Sequence, residues 1–311
     1  MKTVLVTGSA GLVGTAFKRL APKVEGYNWA FSTRELCDLT KYEQVYRMFN
    51  MVEPHIVIHT AGYVGGVNLH QDEPARVMSE NIEINTNVID SCIQFGVEKL
   101  LAFSSICAMP DNWGTLSEDD MHQGPPSSYN EGYAFAKRLI DVYIRAWTKQ
   151  TDSVATKGYC TIIPVNIAGI EDNYNIKHGH VIPSLAHKFW RAINKGEPLQ
   201  VFGDGSPQRE FIDSDDLAQM CIQLLDKKEL PPRLILSSGV EHSIKDIVTI
   251  LCEITGYKGP IEWGHGINGQ ARRPTNTDLM RSLGLSPSTP LRTTLEKSWR
   301  WFNQNYEKAR K

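Results

Sequence analysis

The residues most able to do chemistry in this 311-residue sequence are a tyrosine, a lysine and a serine. Tyr133 and Lys137 are four positions apart, so a helix that contains both presents them on one face. A fixed positive charge stabilises the tyrosine anion, and a phenol with an ordinary pKa of about 10 then becomes a usable acid or base. Ser105 follows an apolar run and can give a substrate carbonyl a second hydrogen bond. The three together fit hydride transfer at a carbonyl, whereas the Tyr-Lys pair alone is also common on helix surfaces.

A glycine-rich turn near the first residue supplies a second chemical element. Residues 2–7 form an aliphatic and β-branched run typical of a buried parallel strand, and helical spacing returns after the turn. In this context glycines let the backbone approach a pyrophosphate, and the helix offers free amides and its positive dipole end. This context favours a dinucleotide site over an ordinary tight turn. The expected cofactor contacts are Gly8, Ser9, Gly11, Leu12, Val13 and Gly14.

The residues after the second predicted strand favour NADP over NAD. A carboxylate is expected there when the ribose 2′-hydroxyl of NAD is bound, and residues 31–34 contain none. Ser32 and Arg34 stand there instead, and the planar donor group of an arginine suits a 2′-phosphate. The alternative is a solvated loop arginine, which is a common surface feature.

Strands and helices alternate through the first half of the chain. Beyond residues 2–7 we predict strands at 29–32, 56–60, 100–104 and 161–165, and helices at 42–51, at 77–94 and from about 130. This alternation predicts an α/β fold with a doubly wound parallel sheet, the Rossmann arrangement. From about residue 173 prolines interrupt the pattern, which indicates a smaller C-terminal α/β lobe for the substrate. We expect residues 1–172 to bind the nucleotide, with 211–240 returning to that domain, and 173–311 to form mainly the substrate lobe, closed by a helix over 291–308.

Composition and charge narrow the class of protein. Hydrophobic residues make up 41% of the chain and the net charge is −2, which is typical of an ordinary soluble globule with a sizeable core. No basic stripe indicates a nucleic-acid partner, and no apolar run reaches the roughly 20 residues that span a membrane. The six cysteines include no C-x-x-C pair, and the first residues resemble a strand rather than a signal peptide. We therefore expect a reduced, cytoplasmic protein with a small-molecule ligand and no metal site.

The glycine turn, Ser105 and the Tyr133-x-x-x-Lys137 pair, in this order and spacing, resemble the extended short-chain dehydrogenase/reductase family. Residues 104–110, 179–183 and 207–211 are similar to its GDP-L-fucose-forming branch, and the similarity extends to the C-terminal helix. The resemblance implies a Rossmann fold and NADP as the cofactor. It also implies a bifunctional enzyme that inverts C3 and C5 and reduces C4 of GDP-4-keto-6-deoxy-D-mannose.

The same resemblance implies catalytic roles for five side chains. Ser105, Tyr133 and Lys137 would form the reductase set, and the last two would also contact the cofactor. Cys107 and His180 would be the acid/base pair of the epimerisation. A 4-keto group acidifies the hydrogens on both adjacent carbons, so a thiolate or an imidazole within reach can remove one. Without the resemblance, Cys107 would be interpreted as a small buried hydrophobe and His180 as a helix-start histidine.

Further residues are expected to bind rather than to react. Arg209 and Arg273 would grip the GDP diphosphate, because guanidinium groups suit paired phosphate oxygens. Asn81, on the long helix predicted near the site, is expected to organise backbone or water. The remaining expected contacts are Asp38 and Leu39 on the adenine side, and Asn166, Lys188 and Phe202 on the substrate side.

Two other functions stay open at this point. A nucleotide-sugar 4-reductase without epimerase activity differs only at Cys107 and His180, and a redox sensor that binds NADP without chemistry has no need for the reductase set. Ala10 occupies a place where some bacterial members have an arginine for the 2′-phosphate, so the preference for NADP depends on Ser32 and Arg34. By resemblance, helices 77–94 and 133–149 would pair with their copies in a homodimer through positions such as Val88, Ile140 and Ile144.

Overall fold

The computed structural model describes residues 1–111, 113–151, 156–264 and 271–311. Its strands are β1 (Lys2–Thr7), β2 (Tyr27–Ser32), β3 (Ile56–His59), β4 (Lys99–Phe103), β5 (Tyr159–Pro164), β6 (Asn166–Ala168), β7 (Leu199–Val201), β8 (Gln208–Asp213), β9 (Arg233–Leu236), β10 (Glu241–Ser243) and β11 (Ile261–Trp263). Its α-helices are α1 (Leu12–Leu20), α2 (Tyr42–Val52), α3 (Val67–Asp72), α4 (Pro74–Gln94), α5 (Glu131–Gln150), α6 (Val181–Lys195), α7 (Ser214–Leu225), α8 (Ile244–Thr255), α9 (Asp278–Ser282) and α10 (Leu291–Gln304). In these parts of the chain no helix is both long and apolar enough to span a membrane.

A six-stranded sheet with the order β2-β1-β3-β4-β5-β9 forms the centre of the molecule. Each neighbouring pair of its strands runs parallel. The strand order reverses between β1 and β3, and the crevice outside the carboxyl ends of strands at such a reversal is where open α/β sheets bind ligands. The predicted doubly wound α/β fold is therefore confirmed.

Alternate residues of the central strands face opposite helical layers. Val4 and Val6 of β1 pack with α1 and α7, whereas Leu5 packs with α2, α4 and α5. Because both faces of the sheet are covered, its inner strands are continuously apolar, as parallel sheets require. The loops at the carboxyl ends of the strands are left free to form a site.

The apolar positions proposed for a dimer contact have a different use. Val88, Ile140 and Ile144 are buried in the core against the sheet of their own chain, with at most 6% of each residue exposed. The expectation was wrong because the main apolar face of each helix is already buried against the sheet of its own chain. The large apolar side chains that these two helices expose are instead Met78, Phe135 and Val142.

A smaller lobe follows β5 and has its own core. The sheet β10-β8-β6 and the pair β11-β7 pack with α6, α8 and α10. Between these elements the chain returns to the central sheet, where α7 packs beside α1 and β9 pairs with β5. The closing helix α10 ends at Gln304 rather than at residue 308, and Tyr306 in the turn that follows stacks on Trp190 of α6.

A buried lysine ties the central sheet to α7. Lys99, the first residue of β4, is 9% exposed, and its Nζ donates to the carbonyl oxygens of Leu224, Leu225 and Lys227 at 2.5–3.1 Å. These carbonyls lie at the carboxyl end of α7, where the helix dipole favours a positive charge. Lys99 therefore acts as the C-terminal cap of a helix that lies more than 100 residues away in the chain.

We expect Lys99→Met to lower the free energy of unfolding by about 1–3 kcal/mol, because three carbonyls, two of them on buried residues, lose a charged donor. The matched control is Lys2→Met, since the Lys2 side chain is 53% exposed and pairs with Glu98 on the surface. That variant is expected to change stability by less than about 0.5 kcal/mol. Urea unfolding of the three proteins measures the difference, and equal effects would contradict the capping role.

Candidate active site

A cavity of about 900 Å³ opens at the carboxyl ends of the sheet strands and extends to the smaller lobe. Every residue expected to react or to bind lines it, apart from Ser9, Gly14 and Asn81. Ser9 is fully buried, and its backbone amide donates to the carbonyl of Ser32 at 3.0 Å, so it ties the turn to β2. Asn81 lies behind the wall and is described below.

The glycine turn requires two residues without a side chain. Gly8 has a φ of +68°, and a Cβ there would lie 2.6 Å from Cα of Ala61. A Cβ on Gly14 would lie 2.3 Å from the carbonyl oxygen of Gly8. Gly14 is thus needed for close packing of α1 on the turn, although it is not part of the cavity wall. The free amides at the start of α1 face a cradle of the kind that holds a pyrophosphate.

The end of β2 suits a ligand with an additional phosphate. Ser32 is buried in the wall, and the Arg34 side chain is 63% exposed, with its guanidinium 3.7 Å from Glu80. This loose ion pair leaves donors of Arg34 available to a phosphate. Farther along, Asp38 accepts hydrogen bonds from the backbone and hydroxyl of Thr40, and Leu39 provides a buried apolar contact.

Tyr133 and Ser105 meet at the centre of the cavity. The Ser105 side chain hydrogen-bonds the Tyr133 phenol and accepts from the amide of Cys107 at 3.1 Å. Burial raises the pKa of Tyr133, the nearby Cys107 adds to this shift, and the bond to Ser105 opposes it. In this protein the phenol therefore carries its proton at neutral pH and can donate it.

Lys137 holds the first turns of α5 against the end of β4. Its Nζ is 5.9 Å from the centre of the Tyr133 ring and donates to the carbonyl oxygen of Phe103 at 2.8 Å. The hydroxyl of Ser104 donates back to the carbonyl of Lys137 at 3.0 Å. Burial lowers the pKa of Lys137 to about 8. The ammonium form still predominates at neutral pH and lies where it can stabilise a tyrosine anion.

Cys107 lies on a single turn of 3₁₀-helix, residues Ile106–Ala108, that arginines hold from behind. Arg273 donates to the carbonyl of Ile106 at 2.7 Å and to that of Met109 at 3.4 Å, and Arg138 donates to that of Ala108. Arg273 is only 7% exposed, and its hydrogen bonds fix the backbone of this turn. It still lines the cavity, and its contact with a diphosphate stays a prediction.

His180 reaches the cavity from the smaller lobe. It is the N-cap residue of α6 and is exposed. The carboxyl of Asp172 lies near enough for the histidine to influence its pKa, which burial raises and His180 lowers. Cys107 and His180 thus lie on different elements of the wall, the first after β4 and the second at the start of α6.

The remaining binding candidates lie on the lobe side. Lys188 Nζ is 3.9 Å from the centre of the Phe202 ring, and burial lowers its pKa. Arg209 donates to the carbonyl of Gln208 at 2.7 Å, and burial and the neighbouring Arg273 lower its pKa. Asn166 begins β6, and its amide donates to the carbonyl of Glu210 at 2.9 Å. Lys188, Arg209 and Phe202 give this side of the cavity a cationic and aromatic surface.

Asn81 organises the backbone of the wall. Its amide group donates to the carbonyls of Tyr63 and Val77 at 2.9 and 2.6 Å, and its oxygen accepts from the amide of Tyr63 at 3.1 Å.

His70 was not anticipated from the sequence. It lines the cavity, and its ring stacks on Tyr133 with 4.7 Å between the ring centres. A lone histidine after a pair of glycines has no distinguishing spacing, so only the tertiary structure reveals it.

Comparison with known proteins identifies relatives. Residues 4–236 match the NAD dependent epimerase/dehydratase family. The GDP-L-fucose synthase of Dictyostelium discoideum is 37% identical over 100% of this chain and 98% of its own, and that of Sinorhizobium fredii is 31% identical over 98% and 96%. A crystal structure of a GDP-L-fucose synthetase from Naegleria fowleri bound to NADP is 28% identical, with a TM-score of 0.91 over 100% of this chain and 96% of that one.

The buried ammonium of Lys137 predicts a pH-dependent contribution to stability. A lysine in an unfolded chain has a pKa of about 10.4, so between pH 8 and 10 the unfolded chain binds more protons than the folded one. The stability of the wild type relative to Lys137→Met should therefore rise with pH in that window, by up to about 1.4 kcal/mol per pH unit. Below pH 7 the difference in stability between the two proteins should not change with pH. Urea unfolding of both proteins from pH 6 to 10 measures this, and a constant difference would refute it.

Proposed function

The chain belongs to the NAD dependent epimerase/dehydratase family, in the branch that contains the GDP-L-fucose synthases, and from that premise we propose that it has their activity. It inverts C3 and C5 of GDP-4-keto-6-deoxy-D-mannose and reduces C4, which gives GDP-L-fucose. The observation that carries the proposal is that one cavity contains both a reductase set, Ser105, Tyr133 and Lys137, and a candidate proton-transfer pair, Cys107 and His180.

The cofactor is NADP, and the described residues fit it. The Gly8 and Gly11 turn with the start of α1 would hold the pyrophosphate, Ser32 and Arg34 the 2′-phosphate, and Lys137 the ribose beside the nicotinamide. The fit is supported by the close approach of the Gly8 backbone to that of Ala61, which leaves no room for a side chain, and by the exposed guanidinium of Arg34. When bound, reduced NADP supplies the hydride that reaches C4.

The protein's part in the reduction is to supply a proton at the carbonyl oxygen. Ser105 and Tyr133 both hydrogen-bond that oxygen, and the phenol transfers its proton to it as C4 is reduced. The phenolate left on Tyr133 is stabilised by the Lys137 ammonium and then regains a proton from solvent. Burial keeps the phenol protonated until this step, because it raises the pKa of Tyr133.

The epimerisation uses the same ketone. One member of the Cys107 and His180 pair removes the hydrogen from C3 or C5, and the resulting enolate is stabilised at its oxygen by Ser105 and Tyr133. The other member returns a proton from the opposite face. This assignment is supported by the location of the two residues on different elements of the wall, after β4 and at the start of α6. A plain 4-reductase would need neither residue.

We further propose a homodimer located in the cytoplasm. The exposed Met78 of α4 and the exposed Phe135 and Val142 of α5 offer apolar surface on two neighbouring helices, which suits a twofold contact between copies. The six cysteines are free, as expected in a reducing compartment.

Arg34 is expected to determine the choice of cofactor. Arg34→Ala should weaken NADPH binding by about 10- to 100-fold, because it removes charge-assisted hydrogen bonds, and should leave NADH binding unchanged. The matched control is Lys41→Ala, which removes a nearby exposed cation outside the cavity wall. Fluorescence titration of both cofactors gives the dissociation constants. Equal affinities of the wild type for NADPH and NADH would overturn the assignment.

Variants of Cys107 and Tyr133 should separate the two activities. In deuterated solvent the wild type should incorporate label at C3 and C5 of the product, which a reductase without epimerase activity cannot do. Cys107→Ser should lower the rate of this exchange by about 100-fold or more, because a serine hydroxyl is a much poorer proton acceptor than a thiol. Tyr133→Phe should retain some exchange but oxidise NADPH about 100 to 10,000 times more slowly. NADPH binding by each variant is the control for folding.

Mass and NMR spectra of the product locate the label. Wild-type product without carbon-bound deuterium would leave the plain reductase as the function. Exchange at the wild-type rate in Cys107→Ser would show that the thiol only packs. The complete absence of turnover would instead favour an NADP-binding sensor.

A further inference from the structure

His70 is a buried residue of the cavity wall to which the proposed mechanism gives no role. It lies on α3, directly after the glycine-containing loop over residues 62–66, and only 7% of it is exposed. Its ring stacks on that of Tyr133, with 4.7 Å between the ring centres and 30° between the planes. An imidazole in this place is in contact with the residue that, in the proposed mechanism, gives its proton to the carbonyl oxygen on C4.

The two nitrogens of this imidazole differ in their surroundings. Nδ1 is enclosed by protein and has no well-formed hydrogen bond, although the backbone of Gly65 lies close to the ring. Nε2 is not among the enclosed polar atoms that lack a partner in the described part of the chain. Because His70 lines the cavity and its Nδ1 is enclosed, Nε2 is the ring nitrogen left for a bound ligand. A ring nitrogen that faces the cavity can gain a hydrogen-bond partner when a ligand with a polar group binds there.

The charge state of His70 suits a neutral ligand group. Burial, aided by the nearby His180, lowers the pKa of His70 to about 4, and the backbone of Gly65 acts in the opposite direction. At neutral pH the ring is therefore uncharged, with one N–H and one lone pair. A hydroxyl group both donates and accepts, so it pairs with Nε2 in either tautomer. A phosphate or carboxylate would gain little from an uncharged ring.

The chemistry of the sugar identifies the hydroxyl. Tyr133 lies at the C4 carbonyl, and of the two carbons next to C4 only C3 carries a hydroxyl, because C5 carries the methyl group and the ring oxygen. We propose that His70 binds the C3 hydroxyl of the 4-keto sugar through Nε2 while its ring holds Tyr133 in orientation. His70 is then a positioning and specificity-determining residue, an inference that rests on the proposed function.

A consequence of this contact is selection against sugars that lack the C3 hydroxyl. A site built to hydrogen-bond a hydroxyl rejects an analogue without it, because the polar atom of the site is then left unpaired. Removing Nε2 should abolish this discrimination. The stacking contact alone would provide no such preference.

Two substitutions separate the nitrogen from the ring. His70→Phe keeps a planar ring on Tyr133 and removes both nitrogens, whereas His70→Gln places an amide near the position of Nε2 and removes the ring. Each protein is assayed with GDP-4-keto-6-deoxy-D-mannose and with its 3-deoxy analogue. We expect His70→Phe to raise KM for the first substrate about tenfold, to leave KM for the analogue unchanged, and to bind NADPH normally. His70→Gln should recover most of the preference for the 3-hydroxy substrate, even where loss of the stacking contact lowers kcat.

The outcomes are distinct. A His70→Phe protein with the wild-type KM and preference would show that the ring only packs, and the proposal would be wrong. Equal loss of preference in both variants would also overturn it, because the nitrogen would then not be the determinant. If the wild type turns over neither sugar, the proposed function itself fails and the inference fails with it. Normal NADPH affinity in both variants excludes misfolding as the cause of any loss.

Discussion

The contact between α5 and the carboxyl end of β4 is the constraint on which the site depends. Lys137 donates to the carbonyl of Phe103, Ser104 donates back to the carbonyl of Lys137, and Arg138 donates to the carbonyl of Ala108. Within the described residues the Lys137 ammonium forms no salt bridge with a carboxylate, and burial lowers its pKa. Its desolvation is costly, and under the proposed function the buried charge lies where it can stabilise the anion of Tyr133. The reacting groups of both proposed steps are located relative to this junction.

The two proposed activities share their structural supports. Arg273, from the segment before α9, fixes the turn that carries Cys107, so the thiol is held by a residue of the C-terminal part of the chain. Close to it, Glu210 of β8 is buried and accepts from Ser237 and from both the amide and hydroxyl of Thr275. These polar contacts lock the β8 strand, the end of β9 and the residue 275 segment together. A shift of the lobe would therefore move the proton-transfer pair as well as the nucleotide contacts.

The sequence was sufficient for features that depend on local patterns. Continuous apolar runs and the glycine turn predicted the central strands and α1, because strands buried on both faces and backbone approach at Gly8 leave strong local signals. It was insufficient where a side chain has several possible partners. Val88 and Ile140 are apolar whether they face a sheet or a second subunit, and Arg273 is cationic whether it binds a carbonyl or a phosphate. His70 becomes notable only because α3 brings it onto Tyr133.

The return of the chain from the smaller lobe to the central sheet has a consequence for synthesis on the ribosome. The strand that completes the sheet, β9, and the helix that covers α1, α7, are made about 50 to 70 residues after β5. Until they emerge, one backbone edge of β5 and the apolar faces of α1 and β1 lack the partners that they have in the finished protein. A nascent chain stalled in this interval exposes an unpaired parallel strand, which is a template for aggregation. Chaperone occupancy should therefore be greatest on chains that have passed residue 164 but have not yet released residue 236.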